Sequence, residues 1–126
     1  MKLSQFILAL AVSISGTAFA ADNHGHDAKP MHGGVVSEAK EVEYEFVAVA
    51  DKLQLYMRDH GKPVAVAGMV AKVTLLAGSD KQDVQLQVGD GKLEASGSFK
   101  VAAGTKAVIA VSKAGKSVAS VRFTLK

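Results

Sequence analysis

The sequence predicts an all-β protein, a single immunoglobulin-like β-sandwich of seven to eight strands. From Val35 onward, apolar and polar residues alternate, as they do in half-buried strands. Glycine, aspartate and proline interrupt this alternation at intervals of about 8–12 residues, which is typical of turns between short strands. After residue 34 no segment has the periodicity of an amphipathic helix. A small β-barrel is the alternative, because it would produce the same pattern.

Residues 1–20 have the features of a secretory signal peptide. Lys2 gives a positive start, residues 6–12 are apolar, and Ala18-Phe19-Ala20 offers small residues at a cleavage site. The apolar run is shorter than the roughly 18 residues that a membrane-spanning helix requires. We therefore expect cleavage after Ala20, export to a bacterial periplasm, and a mature protein that is not an integral membrane protein.

Composition narrows the possible functions of the exported chain. Hydrophobic residues make up 48% and charged residues 21% of the 126 residues, as in ordinary globular domains. The chain has no cysteine, which excludes disulfides, thiolate metal sites and thiol catalysis. Residues 92–126 carry seven bases and one acid. These bases are spaced singly along strand-like segments, so we interpret them as solvated faces and edge protection and predict no nucleic-acid partner.

Residues 21–34 are predicted to form a flexible, His-rich arm ahead of a domain over residues 35–126. The arm holds three of the four histidines of the chain. Imidazole is the commonest protein ligand for transition metals, carboxylate tolerates harder ions, and a thioether favours Cu(I). A linker that is merely rich in histidine is the alternative. The candidate ligands are His24, His26, Asp27, Met31 and His32, and they leave the ion open among copper, silver, zinc, nickel and cobalt.

The first predicted strands have a strict alternation. Three glutamates alternate with Val42, Tyr44 and Phe46, which predicts an apolar inner face and a solvated, acidic outer face. Residues 52–58 alternate in the same way. Further strand-like segments follow at residues 64–66, 69–76, 84–88, 93–95, 99–101, 107–112 and 118–125.

The segment Asp59-His60-Gly61-Lys62-Pro63 predicts a turn after the second of these strands. His60 is a further candidate metal ligand there. Met57 and Met69 lie near strand ends and are weaker candidates, because Met57 shares a strand face with core leucines and is better explained as a core residue. The chain lacks the short motifs of hydrolases, zinc proteases, phosphate loops and dinucleotide sites, so we expect no enzyme.

Two motifs carry a resemblance to a known family. The start Pro30-Met31-His32-Gly33-Gly34 and the turn Asp59-His60-Gly61-Lys62-Pro63 resemble those of small periplasmic proteins and adaptor-linked modules that accompany bacterial heavy-metal efflux systems of the RND type. The likeness covers most of the mature chain. It implies a β-sandwich, association with copper, silver, zinc, cobalt or nickel export, and a heavy-metal efflux complex as partner. Only His32 and His60 match its motif positions; His24 and His26 rest on the chemistry of the arm alone.

Two functions therefore compete at this point. The first is periplasmic binding of transition-metal ions as an accessory to heavy-metal efflux or resistance. The second is a non-catalytic interaction module that docks onto an envelope assembly without metal. The histidine cluster favours the first, because a docking module does not require imidazoles in a flexible arm.

Overall fold

The structure, a computed structural model, describes residues 29–126. Antiparallel strands dominate this range and confirm the all-β prediction, with nine strands instead of seven or eight. Residues 29–126 contain no helix that could cross a membrane. The strands are β1 (Val35–Ala39), β2 (Val42–Val49), β3 (Lys52–Asp59), β4 (Lys62–Pro63), β5 (Met69–Ala77), β6 (Asp80–Val88), β7 (Leu93–Ser96), β8 (Lys106–Lys113) and β9 (Lys116–Thr124).

The strands form one nearly closed, barrel-like sheet. Their order is β1-β2-β3-β7-β6-β5-β8-β9, and the short β4 pairs with the end of β3. Strand β6 joins the half of the sheet that contains β1, β2, β3 and β7 to the half that contains β5, β8 and β9. Residues 80–86 of β6 pair with β5, whereas Gln87 and Val88 pair with β7. The outermost strands, β1 and β9, lie side by side at the remaining seam. Lys40 Nζ crosses that seam and donates to the Val118 carbonyl at 3.2 Å.

The core fills the space enclosed by this sheet. In the longer strands, alternate residues point inward, as the sequence pattern predicts. The Phe46 and Phe123 rings, from the two strands that flank β1, approach to 5.5 Å between centroids. Burial of each large apolar side chain contributes about 1.5–3 kcal/mol to folding. The largest fully buried apolar side chains are Tyr44, Phe46, Leu53, Leu55, Val73, Leu75, Leu86, Leu93, Ile109 and Val111.

Two-residue turns set the register of three hairpins. Both central residues have positive φ at Lys40-Glu41, at His60-Gly61 and at Ala114-Gly115. Positive φ at both positions is the signature of the type I′ turn, whose twist matches that of the strands it joins. The predicted turn after β3 is therefore a tight hairpin that leads directly into β4.

The outer face of β2 and β3 carries the charged residues that position the candidate site. The register places Glu43 opposite Arg58 and Glu45 opposite Tyr56. We expected a solvated acidic row here, but only 1% of the Glu45 surface is exposed. The reason is that the chain before β1 folds back across this face. We call residues 29–34 the strap.

Candidate functional site

The strap is the end of the predicted arm, and it includes two of the predicted ligands. Met31 and His32 belong to it, whereas His24, His26 and Asp27 lie outside the described residues. The predicted signal peptide over residues 1–20 lies outside them as well. The structure therefore shows how the strap is attached to the domain and where His32 is held.

One buried carboxylate attaches the strap to the sheet. The Met31 N–H donates to Glu45 Oε1 at 2.9 Å. The His32 and Gly34 N–H groups donate to Glu45 Oε2 at 2.7 and 3.0 Å. Hydrogen bonds to an ionised acceptor are the stronger class in proteins, and these three are partly shielded from competing water. Residues 31–34 thus form a backbone loop around a single anion.

Arg58 holds the same carboxylate from the other side. Its Nη1 lies 3.4 Å from Glu45 Oε1, and its Nε lies 3.4 Å from Glu43 Oε1. Its Nη2 donates to the Lys29 carbonyl at 3.1 Å, which attaches the beginning of the strap. Arg58 is only 8% exposed. A guanidinium suits this position, because its planar set of donors can serve three acceptors at once.

The pKa of Glu45 reports the balance of these interactions. Burial by itself raises the pKa of the Glu45 carboxyl, because the charged form loses its hydration. The backbone N–H groups of Met31, Gly34 and His32, together with the His32 imidazole, outweigh burial and lower the pKa below its ordinary value. Glu45 therefore stays ionised under the strap, which is the state that accepts three hydrogen bonds.

An aromatic contact fixes the His32 side chain. The imidazole stacks on the Tyr56 ring, with 3.6 Å between ring centroids and 9° between planes. Lys92 Nζ lies 5.9 Å from the centroid of the same tyrosine ring, within the range of a cation–π contact. Among the contacts within residues 29–126, the backbone N–H and one ring face of His32 attach the strap. His32 is exposed, and its ring nitrogens make none of the hydrogen bonds that attach the strap to the sheet.

Two glycines allow the strap to lie this close to the sheet. Gly33 has φ of +79°, a left-handed conformation that glycine adopts without strain. A Cβ at Gly34 would collide with the Phe46 carbonyl oxygen. Backbone geometry thus explains the two glycines of the His-Gly-Gly sequence, whatever the role of the histidine.

His60 lies apart from His32, at the tip of the hairpin between β3 and β4. Its side chain is 78% exposed, and its Nδ1 lies 2.6 Å from Asp59 Oδ1. It lies four positions after Tyr56 in the sequence, or about 13 Å away at the usual rise of a strand. Within residues 29–126, no three His, Cys, Asp or Glu side chains are grouped so that they could hold a metal ion. The two motif histidines therefore do not share a site built from the described residues.

The methionines divide between core and surface. Met57 is 4% exposed in β3, which confirms that it is a core residue, and Met69 is buried at the start of β5. Met31 is 69% exposed on the strap beside His32. It is the methionine of the described chain that a soft ion can reach.

Sequence reasoning missed the residues that hold the strap: Glu45, Arg58 and Tyr56. All three alternate with core residues, so the pattern alone assigned them to a solvated face. One signal was present. Tyr56 and Arg58 lie on the same outer face as the glutamates of β2. A tyrosine and an arginine beside carboxylates are more typical of a face that another segment covers than of an open one.

Comparisons with other proteins do not assign this chain to a family. No protein-family model, curated protein or solved structure matches it. The function must therefore be argued from the geometry of the strap and from the chemistry of the residues that precede it.

Proposed function

We propose that the protein binds transition-metal ions through its His-rich N-terminal segment. The predicted ligands are His24, His26 and His32, with Asp27 as a further donor and Met31 added for a soft ion such as Cu(I) or Ag(I). Copper and silver, or zinc, nickel and cobalt, are the candidate ions. The role is non-catalytic.

The observation that carries this proposal is the placement of His32. The strap holds its imidazole flat on Tyr56 while leaving the ring nitrogens outside the hydrogen bonds that attach the strap. The stacking limits the directions in which the imidazole can point, and the residue stays exposed to solvent. Two more histidines precede it by six and eight residues in the sequence, close enough for a short chain to bring them to the same ion.

The proposed setting is the bacterial periplasm, and the proposed partner is a heavy-metal efflux or resistance complex. The signal-peptide features of residues 1–20 and the resemblance of the His-Gly-Gly and Asp-His-Gly-Lys-Pro motifs support this setting. In fold terms we further infer an immunoglobulin-like sandwich, a flattened form of the barrel-like sheet. The division of the strands into a β1-β2-β3-β7 group and a β5-β8-β9 group, linked in the strand order through β6, supports that inference.

Isothermal titration of the metal-free exported protein with Cu(II), Zn(II), Ni(II) and Ag(I) tests the proposal. We expect one of these ions to bind more tightly than about 100 μM, or about 5–6 kcal/mol. Replacing His24, His26 and His32 together with alanine should abolish this binding. His60→Ala is the matched control and should leave it unchanged. Binding should weaken on acidification, because protons compete with metal for imidazole nitrogen.

The competing proposal is an interaction module that docks onto an envelope assembly without metal. Four exposed aliphatic side chains on the strands support it: Val49, Val70, Leu76 and Val88. Single exposed aliphatic residues are common on protein surfaces, so this support is weaker than that of the histidines. Failure of all four ions to bind would replace the metal-binding proposal with this one.

A further inference from the structure

We propose that Glu45 is the positioning residue of the metal site, although it does not itself contact the ion. This inference rests on the proposed metal-binding function. Glu45 fixes the backbone of the strap, the strap fixes His32 on Tyr56, and His32 then offers a ligand whose position is set before the ion arrives.

The contacts of the strap converge on this one side chain. Three strap N–H groups donate to Glu45, at 2.7 to 3.0 Å. Arg58 contributes one further hydrogen bond, to the Lys29 carbonyl, and it is itself paired with Glu45. Loss of the Glu45 charge therefore weakens the attachment at both ends of the strap. Loss of the Arg58 contact with Lys29 would leave the three hydrogen bonds to Glu45 in place.

The sequence of the strap makes such a residue necessary. Gly33 and Gly34 have large conformational freedom when undocked, and ordering them is costly. A ligand carried on such a chain binds weakly, because affinity falls in proportion to the fraction of molecules in the competent conformation. A buried carboxylate that accepts hydrogen bonds from three N–H groups raises the fraction of molecules with a docked strap before metal binds.

Glu45 cannot itself be a ligand while the strap is docked. Both of its oxygens accept hydrogen bonds from the strap, and its side chain is 1% exposed. Glu43 contacts the same arginine but makes no hydrogen bond to the strap among the described residues. Glu43 is therefore the matched control, since it has the same charge, strand and arginine partner.

The test compares Glu45→Gln with Glu43→Gln in the exported protein. Glutamine keeps the size of the side chain but replaces one acceptor oxygen with an NH2 group that faces N–H donors. Docking is measured without metal, from amide hydrogen exchange at Met31, His32 and Gly34 and from the ring-current shift of His32 on Tyr56. Affinity is measured by titration with the ion that binds the wild-type protein most tightly.

We expect Glu45→Gln to abolish exchange protection in the strap and to weaken metal binding about tenfold or more. Glu43→Gln should change affinity less than about twofold. An undocked strap with wild-type affinity would overturn the proposal while leaving metal binding intact. A wild-type protein that binds none of the four ions would instead overturn the proposed function, and the exchange data would then show Glu45 to be a structural anchor only.

A rescue experiment separates positioning from general damage to the fold. Glu45→Ala removes a fragment equivalent to acetate and leaves the three N–H groups and Arg58 around the space. We expect added acetate to restore exchange protection of the strap and the His32 shift in the metal-free variant, whereas the same concentration of acetamide should not. If affinity recovered with acetate, the positioning role would be supported; if docking recovered and affinity did not, it would be overturned.

Discussion

Replacing Glu45 with alanine should destabilise the whole domain by about 2 kcal/mol, and the structure shows why the cost is no larger. If the strap stayed in place, three half-buried N–H groups would lose their acceptor, at no more than about 1–3 kcal/mol each. The strap can instead move away and expose those groups to water. The loss is therefore limited to the net free energy with which the strap docks.

Arg58 sets the second part of this estimate. Removing one partner of a fully buried ion pair costs about 3–5 kcal/mol, because the other charge is left uncompensated. Here Arg58 would keep Glu43 at 3.4 Å, and undocking of the strap would give it access to water. We therefore place the expected loss below that range, at about 2 kcal/mol. Glu43→Ala should cost less than about 1 kcal/mol, since that carboxylate is partly exposed.

Urea denaturation and thermal unfolding of the metal-free protein provide the assay. A loss of about 2 kcal/mol corresponds to a fall in Tm of roughly 8–16 °C for a domain of this size. The exchange protection of the strap should disappear, whereas that of core strands such as β5 and β8 should keep its relative order. A Glu45→Ala loss below about 0.5 kcal/mol, or an equal loss in Glu43→Ala, would refute the view that Glu45 anchors the strap.

Three further predictions follow from the same geometry. The pKa of the Glu45 carboxyl is lowered in the folded protein, so the ionised carboxylate stabilises the fold above the ordinary pKa of 4.5, and this stabilisation is lost as pH falls through the folded pKa. In this pH range the free energy of unfolding should therefore decline with acidification more steeply for the wild-type protein than for Glu45→Gln. Gly34→Ala should destabilise by about 2 kcal/mol or more in urea melts, because the new Cβ meets the Phe46 carbonyl, and an unchanged melt would show that the strap can shift. His60→Asn should raise the free energy of unfolding by about 0.5 kcal/mol, since His60 has φ of +53° and asparagine adopts that conformation more readily. A lower Tm would mean that the contact between His60 and Asp59 outweighs the backbone strain.

The sequence by itself determined the class of the fold and most of its core. Alternation over residues 41–46 and 52–58 identified β2 and β3, and the inward positions of both strands are buried as predicted, except that Val42 is half-buried. Turn chemistry identified the hairpin at Asp59-His60-Gly61. These features are local: a period of two and the conformational preferences of glycine can be recognised without knowing what packs against the strand.

Only the tertiary structure decided how the sheet closes and what covers its outer face. Sequence patterns do not reveal which strands are neighbours, so the link between the two halves through β6 could not be predicted. The burial of Glu45 could not be predicted either. Its alternation with Tyr44 and Phe46 specifies which face it occupies, whereas its exposure depends on a segment that precedes β1 and folds back over that face. A carboxylate on an outer face is solvated or buried according to what lies above it, and that is a property of the folded chain.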